Sequence, residues 1–212
     1  MFLKRALVIG NGESRKNINL QLFTNTIPMI GCNAVHRDAI VDHLICCDYR
    51  MVAESVQNKN TVGTLIYTRN EHINKFPYNT NLIPLPDIPY PQRQRIDNTR
   101  NWGSGPFAML VAALLDYDRY MIIGFDLYGV NNNCNNIYKD TKNYSRSSSH
   151  SVDPSYWIYQ CGKIFSIFNH KTFEIYNIKD WKLPDQWQLP NVELYDLDSF
   201  ADVAKQINNL YN

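Results

Sequence analysis

The sequence predicts an α/β fold, a mostly parallel sheet with helices on both faces, from three observations. Short apolar runs alternate with segments able to form helices. The runs are continuous, as in strands covered on both faces, and they end on small or polar residues.

Residues 6–10, Ala-Leu-Val-Ile-Gly, form the first such run, and the turn Asn11-Gly-Glu-Ser-Arg15 follows it. Ser14 is placed to cap a short helix there. Residues 27–33 repeat the pattern and end on Gly31-Cys-Asn33. Residues 43–48 end on Asp48, a helix follows over 49–56, and residues 63–67 make a fourth strand. Right-handed crossovers between parallel strands put all these strand ends on one edge, so Asn11, Asn33 and Asp48 are expected as neighbours.

The segment 76–101 contains Pro77, Pro84, Pro86, Pro89 and Pro91, which excludes long helix or central strand and predicts a surface lid. A helix is expected over 106–115, with Ser104 or Gly105 near its start, then a strand over 120–124 leading into Phe125-Asp-Leu-Tyr128. Residues 129–151, rich in Asn, Ser, Lys and Tyr, predict a mobile polar loop. Asp153-Pro154 opens an aromatic helix to Phe168, residues 173–178 read as the last strand, and a terminal helix over 199–210 takes Asp198 or Ser199 as its cap.

The 212 residues suit one domain, 1–212. With 21 basic and 20 acidic side chains there is no global field to attract nucleic acid or an anionic membrane. No apolar run approaches a membrane span or a secretory leader, and the odd set Cys32, Cys46, Cys47, Cys134 and Cys161 lacks Cys-x-x-Cys spacing. The expectation is a reduced, cytoplasmic chain whose oligomeric state is left open.

Ligands of open parallel sheets bind where strand ends diverge, and phosphates need close backbone approach. Gly10, Gly12, Gly103 and Gly105 offer that approach, while Asn11, Ser14, Asn33, Asp48, Ser104, Phe125, Asp126 and Tyr128 offer side chains, so a nucleotide site is expected. Arg15 stands where a Gly-x-Gly-x-x-Gly fingerprint needs its third glycine, and no P-loop ending is present. Asp116/Asp118 and Asp196/Asp198 read as caps or turns, and His36, Asp38, Asp42 and His43 lack zinc spacing, so no metal site is expected. Each residue also has a plain structural reading: glycines for turns, Ser104 as a helix cap, Tyr128 as core, His150 as a solvated side chain.

The stretches Leu7-Val-Ile-Gly-Asn-Gly-Glu-Ser14, Gly31-Cys-Asn33, Gly103-Ser-Gly105 and Ile123-Gly-Phe-Asp-Leu-Tyr128 resemble the motifs of the bacterial lipooligosaccharide sialyltransferases. That resemblance implies a Rossmann-like domain that binds CMP-sialic acid, needs no metal or other cofactor, and transfers the sugar to a glycan hydroxyl with inversion. It assigns Asn11, Asn33, Ser104 and Gly105 to the nucleotide, Tyr128 and Tyr138 to the leaving phosphate, and His150, in Ser149-His-Ser151, to the general base. The chain departs from the family at Asp48 and Asn101, where the family has asparagine and arginine. Similar glycine-rich and Gly-x-Asp motifs occur in hydroxymethyl-dihydropterin pyrophosphokinase-like proteins, a resemblance that implies Mg-ATP held by Asp48 and Asp126. A third reading is a nucleotide-binding domain without catalysis.

Overall fold

The computed structural model describes residues 4–211. Eight strands form one sheet: β1 (Arg5–Ile9), β2 (Met29–Cys32), β3 (His43–Ile45), β4 (Leu65–Thr68), β5 (Leu82–Pro84), β6 (Arg119–Ile123), β7 (Thr172–Asn177) and β8 (Val192–Asp196). Their order is β5-β4-β3-β2-β1-β6-β7-β8, and every pair is parallel. This is the expected doubly wound sheet, and its order reverses between β1 and β6, the position at which such sheets open a crevice.

The helices are α1 (Tyr49–Ser55), α2 (Asn70–Ile73), α3 (Ser104–Leu114), α4 (Ser155–Ile167) and α5 (Leu197–Tyr211). Alternate residues of β1 explain the two layers. Ala6 and Val8 pack with Phe107, Leu110 and Ile164 of α3 and α4, whereas Leu7 and Ile9 pack with Phe23, Val35 and Phe200 on the other face. Each of these valine, leucine, isoleucine and phenylalanine side chains, wholly buried, contributes about 1.5–3 kcal/mol. Among the described residues no helix is long and apolar enough to cross a membrane.

Two strands escape the sequence pattern. The proline-rich segment contains β5, a short edge strand ending on Pro84, where a missing N–H costs least. Beyond residues 173–178 lies β8, the opposite edge, in which only Val192 is buried. The last helix starts at Leu197 rather than at Ser199, and Asp196 Oδ1 accepts from Asp198 N (3.1 Å). Ser14 does not cap a helix: it lies inside a 3-10 turn, Glu13–Arg15, whose cap position is Gly12.

The polar loop, expected to be mobile, is fastened at several points. Asn131, Asn132, Asp140 and Asn143 take left-handed backbone conformations, tolerated best by Asn and Asp, and fold the loop into successive turns. Glu54 holds both Arg37 (2.6 and 2.8 Å) and Asn143 Nδ2 (2.8 Å), and Arg37 also donates to Thr141 Oγ1 and the Lys142 carbonyl. Lys139 pairs with Glu13.

Candidate functional site

The crevice is made by two glycines. Gly10 and Gly124 follow β1 and β6, and Gly10 N and Gly12 N donate to the carbonyls of Ile123 and Gly124, both at 2.8 Å. A Cβ on Gly10 would meet Gly124 O at 2.2 Å, and one on Gly12 would meet Asp126 Cγ at 2.2 Å. Gly124 is itself left-handed, at φ +69°. These strand ends therefore pass closer than any side chain allows.

The two strands then part around a cavity of about 280 Å³. Asn11, Gly12, Asn33, Asp48, Gly103, Ser104, Gly105, Phe125 and Asp126 all line it, so the strand ends converge as expected. Ser104 occupies the first turn of α3 and ties three elements together: its Oγ accepts from Cys47 N (2.9 Å) and donates to Asn33 Oδ1 (2.8 Å). The cap position itself is Gly103. Because Ser104 takes the Asn33 Oδ1, the Asn33 amide NH2 is the end left for a ligand.

Asn11 is buried and donates through Nδ2 to the carbonyl of Cys32 and to Tyr144 Oη, both at 3.2 Å. Asp126 is also committed: Ser14 N and Oγ donate to its two carboxylate oxygens at 2.9 and 2.5 Å. Asp48 is exposed, and among the described residues its carboxylate has no hydrogen bond or ion pair. The thiols of Cys32 and Cys47, buried beside the cavity, are pushed up to about 12 and about 11 by desolvation, which keeps them protonated.

Leu127 sits at φ +63°, and Tyr128 N donates to Asp126 O (2.7 Å) across it, a γ-turn that a branched side chain adopts only under strain. The turn throws Tyr128 out of the first cavity into a second, of about 160 Å³, lined with Tyr144, His150, Ser151 and Trp157. Leu127, Asn135, Asn136 and Trp157 line both cavities, so the two adjoin. Among the described residues no lysine or arginine lines either one.

Tyr138 is not brought to these cavities. It is buried against Tyr144 (ring centroids 5.4 Å), where its hydroxyl donates to Asp38 Oδ2 (2.5 Å) and accepts from Arg15 Nη2 (2.8 Å). Arg15, itself buried, also donates to the Gly10 carbonyl and to Asp38. Burial and Asp38 push the Tyr138 phenol far above its ordinary range. The reason for its position is the buried guanidinium, which demands partners and takes this hydroxyl as one.

Tyr144, which sequence reasoning did not single out, lines the second cavity, which Tyr138 does not. Its hydroxyl accepts from Asn11 Nδ2 and from Ala34 N (3.3 Å), so its own proton is left to donate. Asn135 and Asn136 also went unmarked. Asn135 bridges the strand ends, accepting from Glu13 N and donating to Tyr128 O. His150 is exposed and is set by a bridge to Asn133 and by Ser151 N donating to Asn132 O.

Comparison with protein-family models and with curated protein sequences returns no match. Among solved structures, the chain is similar to the sialyltransferase CstII from Campylobacter jejuni, described as a complex with a substrate analogue, cytidine-5'-monophosphate. The identity is 15%, the TM-score 0.53, and the likeness covers 82% of this chain and 80% of that one. It shows a shared sialyltransferase-like Rossmann fold.

Proposed function

We propose that the chain is a metal-independent inverting glycosyltransferase that moves a sugar from a CMP-activated, or related, nucleotide donor to a hydroxyl of a glycan or similar acceptor. The observation that carries this reading is the adjacency of the two cavities. One is framed by strand ends, Asn33, Ser104 and the N-terminus of α3; the other holds His150 and two phenols. The fold shared with a protein described in complex with a cytidine nucleotide supports a cytidine donor.

In this reading the nucleoside phosphate lies against Asn33, Ser104 and Gly105, where a helix N-terminus favours negative charge. His150 removes the proton from the acceptor hydroxyl as its oxygen attacks the anomeric carbon. A new glycosidic bond forms, the bond to the phosphate oxygen breaks, and CMP leaves. Tyr128 and Tyr144 donate to that oxygen as charge grows on it, stabilising the transition state more than the ground state. Tyr138 has no part in this step, because its hydroxyl is held by Arg15 and Asp38.

The rival phosphoryl transfer needs Mg²⁺ held by one or two carboxylates together with the substrate phosphates. Asp126 is engaged by Ser14, which leaves Asp48 as the unengaged carboxylate at this cavity. Melting curves with CMP alone and with ATP plus Mg²⁺ separate the two readings. CMP at a hundred times its Kd adds about 2.7 kcal/mol if it binds. A non-catalytic domain would bind CMP and release none from a CMP-sugar.

A further inference from the structure

The peptide between Asn33 and Ala34 carries two bonds that reach different parts of the site. Its carbonyl meets His36 Nδ1 at 2.9 Å, and its N–H donates to Tyr144 Oη at 3.3 Å. Asn33 takes a left-handed conformation, φ +51°, and opens a 3-10 turn over Asn33–Arg37, a tight turn whose own hydrogen bonds have poor geometry. The bond from the His36 ring therefore adds the firmest hold on this first carbonyl. Cys46 Sγ also approaches it, at 3.9 Å, but a thiol is a weak donor.

The carbonyl fixes the state of the ring. A carbonyl only accepts, so His36 Nδ1 carries the proton, and in the neutral imidazole Nε2 is bare. His36 is wholly buried, and its Nε2, 3.5 Å from Glu54 Oε1, makes no hydrogen bond. Glu54 already holds Arg37 and Asn143, and burial lowers the His36 pKa below its ordinary value, which favours the neutral ring. A buried nitrogen without a partner costs stability, so packing alone does not explain a histidine here.

The other side of the peptide sets the direction of a phenol. Tyr144 Oη accepts from Ala34 N and from Asn11 Nδ2, which leaves its own proton to donate. Were the peptide plane to turn over, the Asn33 carbonyl would face Tyr144 and take that proton. The Asn33 side chain, attached at the end of the same plane, would lose its register with Ser104 Oγ.

We propose, on the reading that the two cavities serve a nucleotide sugar, that His36 is a positioning residue. By holding the Asn33–Ala34 peptide plane it aims the Asn33 amide at the nucleotide and keeps the Tyr144 phenol a donor. His36 itself lines neither cavity and touches no ligand.

The test compares the full-chain wild type with His36→Asn, whose amide N–H falls near Nδ1, His36→Gln, whose amide reaches towards Nε2, and His36→Leu, which fills the space without a donor. CMP binding is measured by calorimetry, release of CMP from a CMP-sugar by steady-state kinetics, and stability by melting curves. His36→Leu and His36→Gln bind CMP about tenfold more weakly and lose about tenfold in kcat, while His36→Asn returns both to within about threefold of the wild type. This order does not follow the melting temperatures, as it would if the ring only filled space. Wild-type affinity and kcat in His36→Leu, or a His36→Asn no better than His36→Gln, overturns the inference and leaves the nucleotide reading standing. If the variants fail to fold, nitrogen-15 spectra of the wild-type imidazole decide: a proton on Nδ1 with bare Nε2, and an Ala34 amide that shifts with CMP, support the inference. A proton on Nε2, or an Ala34 amide unmoved by saturating CMP, overturns it. Failure of the wild type to bind CMP or to act on the CMP-sugar removes both.

Discussion

Ser104 Oγ donates to Asn33 Oδ1 at 2.8 Å while accepting from Cys47 N, so one hydroxyl joins the start of α3 to the ends of β2 and β3. The pairing also decides which end of the Asn33 amide a ligand meets. Ser104→Ala orphans a buried N–H and frees Asn33 to turn. We expect a loss of about 1–3 kcal/mol in stability, read by denaturant unfolding, together with weaker CMP binding.

The glycines at the crevice separate folding from binding. Gly10→Ala puts a methyl into the Gly124 carbonyl and should cost about 3 kcal/mol or prevent folding. A Cβ on Gly105 meets nothing nearer than Phe125 at 3.6 Å. Gly105→Ala should therefore melt within a few degrees of the wild type while binding CMP several-fold more weakly, since the new methyl occupies the approach to the helix start. Unchanged CMP affinity in Gly105→Ala would place the phosphate elsewhere.

The buried phenol of Tyr138 and the exposed one of Tyr128 should part company on substitution. Tyr138→Phe leaves Arg15 and Asp38 short of a partner and should lower stability by about 1–3 kcal/mol with little change in kcat. Tyr128→Phe touches no partner through its hydroxyl and should leave the melting temperature in place while lowering kcat at least tenfold. Steady-state release of CMP from a CMP-sugar, measured beside melting curves, distinguishes them.

Acid should weaken the fold in two stages. Burial lowers the pKa of His36, His43 and His72 from the ordinary 6.5, so below about that pH the unfolded chain binds protons that the native chain refuses, and stability falls. Arg37 holds Glu54 below the ordinary 4.5, so the stability due to this pair is present above that value and is lost as pH falls through the lowered native one. Melting temperature against pH checks both. Glu54→Gln, which gives up the charge holding Arg37, should lower the curve at neutral pH and flatten its acid end.

Much of the fold was legible because the central strands are wholly apolar. Residues 6–9 and 120–123 are short, wholly apolar and bounded by glycine, the mark of strands covered on both faces, and Gly103-Ser-Gly105 precedes an apolar run long enough for a helix. The edges carried no such mark. β5 ends on a proline, and β8, Val-Glu-Leu-Tyr-Asp, buries only Val192 and so lacks the continuous apolar run of a covered strand. In the site, Asn11, Asn33, Asp48 and Ser104 were legible because strand ends of a parallel sheet must share one edge. Which tyrosine of the polar loop reaches that edge was not, because Arg15, 123 positions away in the chain, claims the hydroxyl of Tyr138 and leaves Tyr144 to Asn11.

The central claim is that one nucleoside monophosphate sits across the ends of β1, β2 and β3 and the start of α3 without a metal. Amide NMR of the full chain titrated with CMP in the presence of EDTA tests it most directly. The account predicts saturable shifts at Gly10, Gly12, Asn33, Ser104 and Gly105, unchanged by added Mg²⁺. Shifts confined to another surface, or binding that appears only for ATP with Mg²⁺, would contradict it.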